Sequence, residues 1–251
     1  MIFKRAVAKL KAQDWTAIAI EILIVIIGVF IGTQVSNLNN ARIERAKTEQ
    51  MARDLQPELR NLVATFRSLT QYYTVTRRYG ATAFAGWRGD PHVSDRDFVI
   101  AAYQASQITY TGVNNASWSQ IFGSDRLRDL ENQGLRDQLS ILMTTDFAAL
   151  ENGLSTDYRQ HVRMVIPEDV QDAIRARCGD QRRSLYDFAL PPTCALDLPE
   201  QRFTAAAQAL RANPQLVGEL RYHFAVVATY VETLRGLDDL TRAALQQVSR
   251  P

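Results

Sequence analysis

The sequence predicts an all-α protein: one N-terminal transmembrane helix, continued as a helical stalk, and then a helical-bundle domain. Three observations carry that prediction. Trp15–Val35 reads WTAIAIEILIVIIGVFIGTQV and holds a single charge, Glu21. At about 1.5 Å per residue it covers roughly 31 Å, the thickness of a bilayer's hydrocarbon core. Beyond it, apolar residues recur at steps of three and four, the signature of helices with one buried face. No run sustains an alternation of period two, so no sheet is expected.

Composition narrows the functional classes. With 46% hydrophobic and 22% charged residues the 251-residue chain has the make-up of a folded protein. The part after the span is long enough to bury a core. A net charge of +2 gives no basic surface for nucleic acid, which is not expected as a partner. There is no internal repeat and no low-complexity segment.

Met1–Asp14 carries Lys4, Arg5, Lys9 and Lys11 and is expected to be cytoplasmic. A cleaved signal peptide is the rival reading. However, the apolar run is longer than a signal's core, and no small-x-small site closes it, so 15–35 is expected to stay as an anchor. Ser36–Asn40 is polar but holds no helix breaker, and Ala41–Asp54 is rich in helix formers. The span should therefore continue as a stalk, with a kink or restart near Asp54–Gln56 forced by Pro57. Residues 36–79 are assigned to the stalk and first bundle helix, whose apolar face is Leu55, Leu59, Leu62, Phe66, Leu69 and Tyr73. Residues 80–251 are assigned to the all-α soluble domain. Gly80, Gly86, Gly89 and Pro91 predict a turn region.

Ser94-x-x-Asp97 resembles a capping box and opens a second helix, with Phe98, Ala101, Ala102, Ala105 and Ile108 inward. Thr111–Asn115 reads as a loop, followed by short helical pieces at Trp118–Phe122 and Asp125–Glu131. From Gly134 a long helix presents Leu135, Leu139, Leu142, Met143 and Phe147. It continues toward Tyr158, Val162 and Ile166 with an interruption at Asn152-Gly153. Pro167 starts a short helix through Arg177. Pro199 and Pro214 each open a helix as its first residue, where a missing N–H is harmless. The last helix shows Leu216, Leu220, Phe224, Val227, Tyr230, Val231 and Leu234 on one face. Four or five main helices make the bundle.

Cys178 and Cys194 bracket a loop of about 15 residues, and a disulfide there would contribute about 3 kcal/mol in the chain-entropy model. Two unrelated reduced thiols are the alternative. A bridge would place the domain in an oxidising compartment.

Glu21 is the most unusual residue of the span. At about 100° per residue, Gly28 and Gly32 lie about 20° to either side of it, with Val25 near the same line. Glu21, Val25, Gly28 and Gly32 thus form one packing face, and Gly28-x-x-x-Gly32 is a small-xxx-small pair. Three readings compete. They are a helix–helix contact, a solitary glutamate protonated or reaching the headgroups, and part of a proton or ion pathway.

For metal, Asp157-x-x-x-His161 and Glu219-x-x-x-His223 each set a carboxylate and a histidine one turn apart. The Glu-x-x-His spacing of di-metal bundles is absent, so core or rim histidines are expected, with no metal and no cofactor. Arg175, Arg177, Arg182 and Arg183 read as a solvated loop face. There is no G-x-S-x-G, P-loop, CxxC or H-E-x-x-H, and no catalytic residue is assigned.

The segment Glu21–Asn40, EILIVIIGVFIGTQVSNLNN, is similar to the N-terminal signature of a family of functionally uncharacterised bacterial single-pass membrane proteins, roughly E-I-x-I-V-x-I-G-V-x-I-A-L-Q-V-x-N-W-N. Glu21, Gly28, Gln34, Asn37 and Asn39 match it, whereas Gly32 replaces alanine and Leu38 replaces tryptophan. Trp118–Leu142, WSQIFGSDRLRDLENQGLRDQLSIL, resembles the family's soluble motif of a short helix, a small-residue turn and a long helix. Here Gly123-Ser124-Asp125 stands for the family's Ser/Thr-Gly turn. The resemblance implies a membrane-anchored helical protein and no particular reaction.

The expectation is a non-enzymatic interaction or scaffold module of the bacterial cell envelope. It would sit in the inner membrane with its N-terminus cytoplasmic and its domain periplasmic. Its partners would be the lipid bilayer and either a second copy or another membrane protein. The alternative is a periplasmic helical-bundle ligand sensor that relays through a partner membrane protein.

Overall fold

The computed structural model describes residues 15–110, 127, 130 and 132–249. The loop and short helices expected within 111–126, and most of 127–131, lie outside the described residues, as does the first half of the Trp118–Leu142 motif. The chain divides into two units, Met1–Met51 and Ala52–Pro251.

Helix α1, Trp15–Asp54, makes up the described part of the first unit. The polar run Ser36–Asn40 does not break it. Within it Ala19–Lys47 is long and apolar enough to cross a membrane by length and composition, with a window of mean hydropathy 2.2. Ile22, Leu23, Ile24 and Val25 are all exposed. Four consecutive residues at 100° steps point to every side, so the helix is apolar and exposed all round there.

In the second unit the predicted restart falls at Leu55. Helix α2, Gln56–Trp87, begins there with Pro57 in its first turn. All six residues of the predicted face, Leu55 to Tyr73, are buried. The predicted turn at Gly80 and Gly86 is corrected: both sit inside α2. They are glycine because rings lie against them. A Cβ at Gly80 would fall inside the Phe224 ring, and one at Gly86 inside the Phe98 ring. The chain turns only at Gly89, at φ 73°. There Gly89 N–H bonds Gly86 O at 3.2 Å and Asp90 N–H bonds Ala85 O at 3.1 Å, the two bonds of a Schellman stop.

Helix α3, Asp95–Gln104, is capped by Ser94, whose Oγ accepts the Asp97 N–H at 3.1 Å and donates to the Asp97 carboxylate at 2.6 Å. Every residue from Phe98 to Gln104 is buried, so α3 is a core helix rather than an amphipathic one. The long helix expected from Gly134 is broken once more than predicted. Helices α4, Gln133–Thr144, and α5, Phe147–Asn152, are separated by Asp146, which caps α5 by accepting the Ala149 N–H at 2.9 Å. Asp146 is an N-cap residue that competes with helix continuation.

Helices α6, Asp157–Val165, and α7, Glu168–Cys178, follow. A two-residue antiparallel pair, β1 Gln181–Arg182 and β2 Phe188–Ala189, then appears where no strand was expected. It is a hairpin inside the loop that the cysteines close: Cys178 and Cys194 are disulfide-bonded, with Cα atoms 5.5 Å apart. Helices α8, Glu200–Arg211, and α9, Gln215–Val248, complete the domain. Pro199 and Pro214 are their N-caps rather than their first helical residues, a shift of one position.

Nine α-helices are therefore present among the described residues, the N-terminal one and eight in the domain, of which α2 and α9 are by far the longest. Helices α2 and α9 form the antiparallel spine. Gln56 Nε2 donates to Val248 O at 2.9 Å, Tyr73 meets Tyr230 edge-on at 5.5 Å, and Phe224 covers Gly80. Helix α3 packs between α2 and α8, while α4 and α6 pack on α9.

Candidate functional site

In the first unit, the regular α1 ladder sets Glu21, Val25, Gly28 and Gly32 on one face of the helix. Val25 is 63% exposed. A Cβ added at Gly28 or at Gly32 would meet nothing within 4 Å. The two glycines are thus not filled by the chain's own side chains, and they leave a flat strip of backbone beside a carboxylate.

In the second unit, α6 packs on α9 and joins one pair among the four residues that spacing singles out. His161 Nδ1 lies 2.7 Å from Glu219 Oε1, across the two helices rather than within one. His223 Nδ1 lies 2.8 Å from Thr156 Oγ1. Asp157 is exposed and caps nothing through its side chain. Among the described residues there is no group of three or more metal-ligating side chains.

His223 is wholly buried, against Tyr158 and Phe224. Burial first, and the charge of Arg159 second, lower its pKa to about 4 from 6.5. In the unfolded chain it regains its ordinary value, so below pH 6.5 the unfolded state binds the extra proton and stability falls as pH drops toward 4. A group shifted this far is expected to remove about 2 kcal/mol between pH 8 and pH 5. Urea unfolding at the two pH values, compared with His223→Gln, checks this. The variant should lose that much less on acidification.

A second cluster forms where the C-terminal end of α3 meets α6 and α7. Tyr103 and Gln107 come from α3 and the turn after it, Arg159 and Arg163 from α6 one turn apart, and Arg175 from α7. Arg163 donates to Tyr103 OH at 3.0 Å and to Gln107 Oε1 at 2.9 Å. Arg175 donates to the same Tyr103 OH at 3.3 Å. Arg159 donates to Ser106 O at 2.7 Å and to Gln107 Oε1 at 3.4 Å. The Arg163 guanidinium also stacks on the Tyr103 ring, 4.5 Å from its centre. Burial above all, then the charge of Arg159, lowers the Arg163 pKa. Tyr103, Ser106 and Gln107 are buried. Gln104 ties the cluster to the disulfide by donating to Cys178 O at 2.6 Å.

All four loop arginines read as a solvated face, Arg175, Arg177, Arg182 and Arg183, are exposed, and Arg175 also reaches this cluster through Tyr103. Arg159 and Arg163 were not singled out. The signal available was two arginines at i and i+4 with no acidic residue three or four positions to either side, which leaves their charge unanswered on their own helix.

A cleft of about 400 Å³ lies on the other side of the disulfide. Arg78, Thr82, His92 and Asp97 line it together with Thr193 and Cys194. Its charged residues are exposed, and no buried polar group points to a ligand there. No protein-family model, curated protein or solved structure matches this chain.

Proposed function

We propose that this chain is a non-enzymatic, membrane-anchored interaction module of the bacterial cell envelope. In this reading α1 crosses the inner membrane with the N-terminus cytoplasmic, and the helical domain lies in the periplasm. A second copy or another membrane protein packs on the face of Glu21, Val25, Gly28 and Gly32. The carrying observation is that open face on a helix apolar all round. A carboxylate at membrane depth costs a few kcal/mol unless it meets protein or water. Two glycines beside it let a second backbone come close enough to answer its hydrogen bonds. The Cys178–Cys194 bridge supports an oxidising compartment for the domain.

Single cysteines placed by Val25→Cys, Gly28→Cys and Gly32→Cys test the contact. Disulfide crosslinking in native membranes is expected at these positions and not for Phe30→Cys, which lies about 180° away on the helix. Equal crosslinking at Phe30, or a strictly monomeric and partner-free span, would sink the proposal. Glu21→Ala is expected to remove the crosslinked species or the protein that co-purifies in mild detergent.

A further inference from the structure

We infer that the junction of α3, α6 and α7 binds an oxyanion, a carboxylate or phosphoryl group carried by a small solute, between the guanidinium groups of Arg159, Arg163 and Arg175. Elsewhere in the domain Arg96 pairs with Glu200, Arg202 with Asp169, Arg211 with Asp95 and Arg242 with Asp238. Among the described residues Arg159 and Arg163 have no carboxylate partner and spend their donors on neutral oxygens. Arg175 does pair with Asp172, at the exposed rim.

The three cations are linked through only two shared acceptors, Gln107 Oε1 and Tyr103 OH, and the charges of Arg159 and Arg175 both act against that of Arg163. Asp180 also feels Arg159 and Arg163 but accepts its hydrogen bond, at 2.6 Å, from Tyr72 OH. Gathering like charges is unfavourable, and of the three only Arg175 has a paired carboxylate, yet the fold holds them there on a buried floor of Tyr103, Ser106 and Gln107.

The leftover donors define the ligand. Arg163 Nε is buried and has no hydrogen-bond partner. The Tyr103 hydroxyl accepts from two guanidiniums, which leaves its own proton to give. Guanidinium forks and a tyrosine O–H ask for a planar or tetrahedral oxyanion, and the excess positive charge excludes a cation. With its side chain 46% exposed, Arg175 gives the site an edge on solvent.

The test uses the full chain in detergent, with inorganic phosphate and succinate as separate probes and chloride keeping ionic strength constant. Thermal unfolding and calorimetric titration should show a saturable response to at least one probe. Phosphate alone would mark a phosphoryl ligand and succinate alone a carboxylate. Arg163→Gln is expected to weaken binding at least tenfold and Arg175→Gln at least threefold. Arg202→Gln, which breaks a pair outside the junction, should leave binding unchanged. Should Arg163→Gln fail to fold, Arg163→Lys and the exposed Arg175→Gln decide the matter. The inference is overturned if wild type answers neither probe beyond chloride, or if the junction variants bind as wild type does. None of these outcomes depends on the membrane contact.

Discussion

Gly86→Ala is expected to destabilise the domain by about 3 kcal/mol, the upper end of the range for overpacking a core. The new Cβ would enter the Phe98 ring near its Cβ and Cγ atoms, not at a free tip. Phe98 is wholly buried, stacked edge-on with Trp87 at 5.1 Å and covered by the Arg211 guanidinium at 5.0 Å. Neither ring nor helix has room to give. Alanine is worth up to about 1 kcal/mol over glycine in a helix, so the clash must outweigh a real gain. Gly80→Ala should cost less, because its neighbour Phe224 is only half-buried and its ring can swing toward solvent. A double-mutant cycle separates clash from helix propensity. Phe98→Ala alone should cost about 3–5 kcal/mol, and adding Gly86→Ala to it should be neutral or slightly stabilising. If Gly86→Ala is as stable as wild type in urea unfolding, α2 and α3 do not approach as closely as described here.

The same glycines show where the sequence could and could not be read. The long apolar helix, its continuation through Ser36–Asn40, the restart before Pro57 and the faces of α2 and α9 are local patterns of composition and period, and they were legible. A glycine inside a helix looks like a glycine in a turn until the ring that excludes its Cβ is known. Phe98 and Phe224 lie 12 and 144 residues away from the glycines they cover. The break at Asp146 had a local signal, an N-cap residue, which the apolar period on both sides obscured. The histidines were legible as candidates but not in their pairing, since spacing joins residues on one helix whereas packing joined His161 to Glu219 across two. The arginine junction was legible only as the unanswered pair Arg159 and Arg163, for a related reason. Its charges come from α6 and α7, and the neutral oxygens that reveal it belong to Tyr103 and Gln107, about fifty to seventy residues earlier.

Removing the bridge with Cys178→Ser and Cys194→Ser together, or with a reductant, is expected to lower stability by about 3 kcal/mol. For a domain of this size that is a fall of roughly 6–12 °C in melting temperature. The loss should come from the unfolded chain, which regains the freedom of a loop of about 15 residues. The folded loop has other tethers. Ser68 Oγ donates to Phe188 O at 3.0 Å and accepts the Phe188 N–H at 2.6 Å. Tyr79 OH donates to Pro191 O at 2.8 Å, and Leu190 and Leu196 are buried. The reduced protein should therefore keep its helical circular dichroism while melting earlier. Hydrogen exchange should rise in 179–193 before it rises in α2 or α9, because local opening of the loop no longer has to break a covalent bond. A loop held closed without the bridge would show the shift but not the local exchange, the hydrogen bonds of Ser68 and Tyr79 being enough to keep it shut. Unchanged melting under reduction would argue that the unfolded chain gains little freedom when the bridge is gone.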